Sequence, residues 1–151
     1  DDLILPYINK QCELLTDGKI PVDDLTVTCL IQQEYKSENL IQRITAQKLI
    51  ERDGRVIEPG SRLAYVIVAG QGKLYTRGED PQYVKKHPKS TKIDYVYYLQ
   101  KQMLNPIDTL LMHDPIRKAE LRNIVKKYTS KANRVVKNIP SITSIFFKKN
   151  E

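Results

Sequence analysis

The chain has 151 residues, a formal net charge of +7 and a pI near 9.3, a length that suits one domain with a sizeable core. Its apolar runs fall short of the roughly 20 residues that a membrane helix needs, and no secretory signal pattern opens it. Two cysteines and two histidines, all far apart, exclude a disulfide framework or a zinc site; Cys12 and Cys29 read as buried reduced thiols, which fits an intracellular setting.

Charge is uneven. Residues 1–60 carry 7 Lys/Arg against 11 Asp/Glu, a net of −4, and residues 61–151 carry 18 against 7, a net of +11. The basic part should seek a polyanion, and nucleic acid, an anionic membrane and an acidic protein all satisfy that. The chain opens on Asp1-Asp2 without an initiator methionine, which reads as a processed or trimmed fragment.

In chain order, Leu3, Ile4, Ile8, Cys12 and Leu15 recur at helical spacing and Asp17-Gly18 supplies a stop, predicting a helix over residues 2–16. The β-branched run from Leu25 to Ile31 predicts one buried strand. Ser37 reads as the N-cap of a helix from Glu38 to Arg52, with Leu40, Ile41, Ile44, Leu49 and Ile50 on its apolar side and Asp53-Gly54 at its end. Pro59-Gly60 makes a turn, and Leu63–Ala69 and Lys73–Arg77 read as a β-hairpin closed by Gly70-Gln71-Gly72.

An aromatic-rich helix should run from Ile93 to Leu104, meet Asn105-Pro106, and continue as a shorter piece through Met112. Beyond Asp114-Pro115, Leu121, Val125, Tyr128, Ala132, Val135, Val136 and Ile139 form an apolar stripe. Arg117, Lys118, Arg122, Lys126, Lys127, Lys131, Arg134 and Lys137 cover the remainder of that helix. The expected organisation is a core over residues 1–112, a basic helical part of the same domain over 113–139, and a tail over 140–151. No internal repeat or low-complexity tract interrupts it.

No catalytic spacing stands out. The glycines beside Lys73 lack the full spacing of a phosphate-cradling loop, and acidic pairs such as Asp23-Asp24 and Glu79-Asp80 read as turn or helix caps rather than metal ligands. No metal or cofactor site is predicted in this piece.

An ordered set of segments resembles the thumb of family B DNA polymerases. They are Gly18-Lys-Ile-Pro-Val-Asp-Asp-Leu25, Tyr35 ahead of the Glu38–Arg52 helix, Glu58-Pro-Gly-Ser-Arg-Leu-Ala-Tyr-Val-Ile67, Arg77-Gly-Glu-Asp-Pro81, and Ile93-Asp-Tyr-Val-Tyr-Tyr-Leu-Gln100 with Gln102 and Pro106. The family commonly carries an acidic residue where Ser61 stands and alanine where Gly78 stands, so the chain is a divergent member, with a large DNA virus as the suggested source. The resemblance implies a mainly α fold with a small β-hairpin or sheet element, an α+β thumb. It implies a grip on primer–template duplex through phosphates and the minor groove, in support of processive synthesis. Palm and other domains of a parent polymerase would be its partners, at the nucleus or a viral replication site, and Mg²⁺ would belong to that parent, since the catalytic motifs are absent here.

A non-specific grip needs cations and helix N-termini rather than base-reading side chains. The candidate DNA contacts are Lys36, Ser37, Asn39 and Arg43, then Arg62, Lys73 and Arg77, and the dense run Lys85, Lys86, Lys89 and Lys92. Solvation of a loop competes with contact for each lysine, and Arg62 reads equally as a phosphate ligand or an ion-pair partner of Glu58 or Glu79. Tyr95, Tyr97 and Tyr98 could stack on bases, but three aromatics within four helical residues face different ways, which favours core packing for one or two.

The paired aromatics Phe146 and Phe147 invite comparison with a sliding-clamp peptide. Pro140 stands where glutamine is expected and Thr143 where the aliphatic anchor is expected, so a tail packing on its own domain competes with it. A basic interaction module that docks an acidic partner or a replication accessory factor is the alternative function. A stand-alone nuclease is the third reading, and it needs carboxylates that converge on a metal.

Overall fold

The computed structural model describes residues 3–137, and the chain divides into two compact units. One is built from residues 3–19 and 95–137, the other from residues 20–94. The fold is mostly helical with a small three-stranded antiparallel sheet, as the resemblance implied.

In the helical unit, α1 (Ile4–Thr16) buries Leu5, Ile8, Cys12 and Leu15 at spacings of three and four, one side of a 3.6-residue period. It ends where Gly18 takes φ +70°: the Lys19 N–H donates to Leu14 O and the Gly18 N–H to Leu15 O, satisfying the last carbonyls. The second half begins with α4 (Tyr95–Tyr97), widens into a π-helical stretch over Tyr98–Leu104, and returns to α-helix in α5 (Asn105–Leu110). Then α6 (Pro115–Lys137) opens on Asp114, whose Oδ1 accepts from the Arg117 N–H at 3.0 Å, with Pro115 in the first turn, where no N–H is needed. Leu121, Val125, Tyr128 and Ala132 are buried on one side of α6, which packs against α1 and the π-helical stretch.

In the other unit, a 3₁₀ turn (Val22–Leu25) leads into β1 (Val27–Leu30), followed by α2 (Ile41–Asp53) and β2 (Arg62–Ile67). A second 3₁₀ turn (Leu74–Thr76) precedes the two-residue β3 (Gly78–Glu79) and the short α3 (Pro81–Lys86). The sheet order is β1-β2-β3, with Val27 opposite Tyr65, Leu30 opposite Arg62, and Val66 opposite Glu79. Ile31, Ala46, Leu49 and Leu63 form a core cluster, with Cys29 and Ile57 packed against it.

Several elements differ from the sequence expectation. β1 is an edge strand with alternating exposure and Leu30 58% exposed, so it is half-buried rather than buried. Ser37 does not cap α2: its Oγ accepts from the Asn39 N–H, and the helix starts four residues later at Ile41 without a side-chain cap. α2 buries Thr45, Ala46 and Leu49 while Ile50 stays exposed, so its inward side is turned from the apolar stripe. The return arm of the hairpin is Gly78–Glu79, because Lys73–Arg77 is taken up by the 3₁₀ turn. Cys29 is half-buried; Cys12 is fully buried, and burial pushes its thiol up to about 11. The C-terminal tail lies outside the described residues.

Candidate nucleic-acid interface

All eleven cationic or polar residues singled out in the sequence fall in the unit formed by residues 20–94. Its ion pairs separate cations engaged in structure from cations that face solvent. Glu79, buried to 6% exposure, holds Arg52 at 3.1 Å and Lys48 at 3.6 Å. Asp80, equally buried, accepts from the Tyr83 N–H as the cap of α3 and pairs with Arg55 at 2.6 Å. The Arg52 guanidinium lies 3.7 Å over the Tyr83 ring, and that ring stacks on His87 at 4.0 Å. The reading of Glu79-Asp80 as a cap thus describes Asp80, and the pair also ties the end of α2 to the start of α3.

That anchored root positions the lysine run. After α3 the chain folds back on the His87 carbonyl, which accepts from the Ser90 N–H at 3.2 Å, the Thr91 N–H at 3.0 Å and Thr91 Oγ1 at 2.6 Å. The Ala69 N–H then donates to Lys92 O at 2.7 Å, and buried Ile93 forms a bridge with Val68. Lys86, Lys89 and Lys92 are exposed along this hydrogen-bonded turn with no carboxylate partner among the described residues. Lys85 differs: its Nζ sits 2.7 Å from both oxygens of Asp23.

Arg77 is likewise engaged. Its guanidinium pairs with Asp94 and is mostly shielded from solvent, so it supports the fold rather than presenting a charge. Arg62 is exposed at the start of β2, and Glu79, one of its two expected partners, is taken by Arg52 and Lys48. Lys73 is exposed beside the Tyr75 ring at 5.9 Å. Lys36 and Ser37 line an open groove of about 590 Å³ together with Gln32, Glu34, Tyr35 and Leu40. Asn39 is exposed next to it, and Arg43 on α2 approaches Glu38 at 3.9 Å.

In the helical unit, α6 carries eight Lys/Arg against the single acid Glu120. Asp108 on α5 draws Lys118 at 2.8 Å and Arg122 at 2.9 Å, and Asp17 draws Lys131 at 2.5 Å. Lys126, Lys127 and Arg134 remain exposed without a carboxylate partner among the described residues. The sequence shows this basic face as a whole but does not single out contacts within it; the density of eight cations in 23 residues is the available signal. Tyr98 is buried and meets Tyr97 edge-on at 5.3 Å, while Tyr95 and Tyr97 are half-buried, which is core packing rather than a stacking platform. Phe146 and Phe147 lie outside the described residues. Among those residues no three His, Cys, Asp or Glu side chains converge as metal ligands, and no helix is long and apolar enough to cross a membrane.

The family model for DNA polymerase family B matches residues 2–114. The chain belongs to DNA polymerase family B. The catalytic subunit of DNA polymerase delta from Schizosaccharomyces pombe is 33% identical over 113 residues, covering 73% of this chain and 10% of that protein. A DNA polymerase of Paramecium bursaria Chlorella virus NY2A is 27% identical over 155 residues, covering 88% and 17%. Among solved structures, the family B DNA polymerase of the hyperthermophilic archaeon Pyrobaculum calidifontis superposes with a TM-score of 0.59 at 28% identity, over 74% of this chain and 14% of that one. The chain therefore spans about a sixth or less of the length of these relatives. Relatives from archaea, viruses and eukaryotes all match.

Proposed function

We propose that this chain is the thumb region of a DNA-directed DNA polymerase and that it grips primer–template duplex without regard to sequence. The observation that carries the reading is the turn bearing Lys86, Lys89 and Lys92. It is a family B segment whose backbone is fixed by hydrogen bonds and whose cations have no carboxylate partner among the described residues, while neighbouring Lys48, Arg52, Arg55, Arg77 and Lys85 are neutralised. Fixed cations on a rigid turn suit phosphate oxygens, which offer charge but no sequence. Polymerisation, with its Mg²⁺, belongs in this reading to other parts of the parent enzyme, as does any sliding clamp engaged through Phe146 and Phe147. The parent would act at a site of DNA replication, and a large DNA virus remains the proposed source.

The test is binding of the 151-residue chain to labelled primer–template, blunt duplex, single-stranded DNA and heparin across a salt series. Duplex should bind with a steep inverse dependence on salt. The triple variant Lys86→Gln, Lys89→Gln, Lys92→Gln should flatten the log–log slope by about two to three, at roughly 0.9 for each phosphate that is no longer neutralised. Lys85→Gln, whose charge is held by Asp23, should change it little. Binding no tighter than to heparin, with a slope indifferent to the triple variant, would replace this reading by the basic interaction module.

A further inference from the structure

The lysine turn also carries hydroxyls. Every residue from Lys85 to Ser90 is exposed, so the segment is open to another protein along its length. Ser90 stands four positions after Lys86, one after Lys89 and two before Lys92, among the cations that meet no carboxylate among the described residues. Its Oγ is held only by a contact of 3.4 Å to His87 O, longer than an ordinary hydroxyl hydrogen bond. Thr91 differs: its Oγ1 donates to the same carbonyl at 2.6 Å, and the residue is half-buried.

The other described serines are less open to reaction. Ser61 Oγ donates to Glu58 O at 2.5 Å. Ser37 Oγ accepts from the Asn39 N–H and lies between Glu34 and Glu38. Ser130 has cationic neighbours, but it sits inside α6 with its Oγ donating to Lys126 O at 3.0 Å. Among the described serines, Ser90 combines an exposed, loosely held hydroxyl, a backbone outside any helix or strand, and cations on both sides in sequence.

We infer that Ser90 is a phosphorylation site for a protein kinase that selects basic residues around its acceptor, and that the phosphoryl group releases the lysine turn from duplex. Charge patterns beside the acceptor are what such kinases read. The step is a phosphoryl transfer from ATP: the Ser90 hydroxyl gives its proton to the kinase's base while Oγ bonds to the γ-phosphorus. The bond from that phosphorus to its bridging oxygen breaks, and ADP leaves. The product brings a charge of about −1.5 to −2 to a turn whose lysines 86, 89 and 92 supply three positive charges. Its oxygens are acceptors for the same ammonium groups that DNA phosphates would engage. The inference rests on the duplex-gripping reading and names how that grip is regulated.

Incubation of the 151-residue chain with protein kinase C and Mg²⁺-ATP, followed by mass-spectrometric mapping, should place a phosphate on Ser90. Ser90→Ala should lose it, Thr91→Val should keep it, and the triple variant Lys86→Gln, Lys89→Gln, Lys92→Gln should lose most of it. The phosphorylated chain should bind duplex with a log–log salt slope flattened by about two and an unchanged melting temperature. Ser90→Ala should bind as the unmodified chain does, before and after exposure to the kinase. Absence of phosphate at Ser90, or full phosphorylation there with an unchanged slope, would overturn the inference. So would a melting temperature that falls with the slope, which would make the phosphate a disruptor of the fold. If the unmodified chain binds no duplex, the thumb reading falls and this switch with it. If it binds with a steep slope and Ser90 stays unmodified, the modification site alone is refuted.

Discussion

At Gly78 the backbone of β3 comes so close to α2 that a β-carbon would stand 2.1 Å from Thr45 Oγ1 and 2.9 Å from Ile41 Cγ2. Thr45 is itself fully buried, and its hydroxyl has no hydrogen-bond partner among the described residues. The resemblance places alanine here in the family, so the glycine is explained by the neighbour that fills the space and not by a special backbone angle. Gly78→Ala should cost about 1–3 kcal/mol by overpacking, and Thr45→Ala, which clears the methyl's place, should recover much of it. Urea denaturation of the two single variants and the double would measure the coupling; strictly additive effects would show that the two side chains do not compete. Neither this close approach nor its cost is legible in the sequence, because it joins Thr45 and Gly78 on different elements far apart along the chain.

Among the elements, α6 is the most readable and α2 the most misleading. In α6 the apolar positions Leu121, Val125, Tyr128 and Ala132 are the buried ones, and cations occupy much of the rest, so periodicity and burial agree. Leu121→Ala should therefore cost about 2–5 kcal/mol, while Lys127→Ala on the exposed side should stay within about 0.5 kcal/mol; comparable destabilisation of the two in thermal unfolding would contradict the assignment of faces. In α2 the hydrophobic letters are spread around the helix: Thr45 faces β3, which comes close at Gly78, while Ala46 and Leu49 pack with Ile31 and Leu63. Periodicity records where apolar residues are, not how much space the neighbouring element leaves. Pro106 gives a third case: the expected interruption is absorbed by the π-helical widening, which disposes of the missing N–H and lets the helix pass into α5.

Over the whole molecule, carboxylates that hold cations control the response to acid. The hydrogen bond from Lys118, reinforced by Arg122, keeps Asp108 below the usual carboxylate range. Lys131 does the same for Asp17, Lys10 for Glu13, and Arg52 for Asp53. A carboxyl whose folded value is depressed binds fewer protons folded than unfolded in that range, so its contribution is complete above the unfolded value near 4 and is lost as pH falls through the folded value. The melting temperature should decline below about pH 4, and Asp17→Asn with Asp108→Asn should flatten that decline; an unchanged acid limb would show that these pairs do not act on folding. By itself the sequence determined the family, the mainly helical class with a small sheet, the ends of α1 and α2 at Gly18 and Gly54, and the basic bias of the second half. Each of these depends on letters close together or on a motif order. Only the tertiary structure decided which cations are free. Lys85 meets Asp23 across 62 positions and Arg77 meets Asp94 across 17, whereas Lys86, Lys89 and Lys92 meet no carboxylate among the described residues. A charge in a sequence carries no record of its partner; that is set by which distant segments pack together.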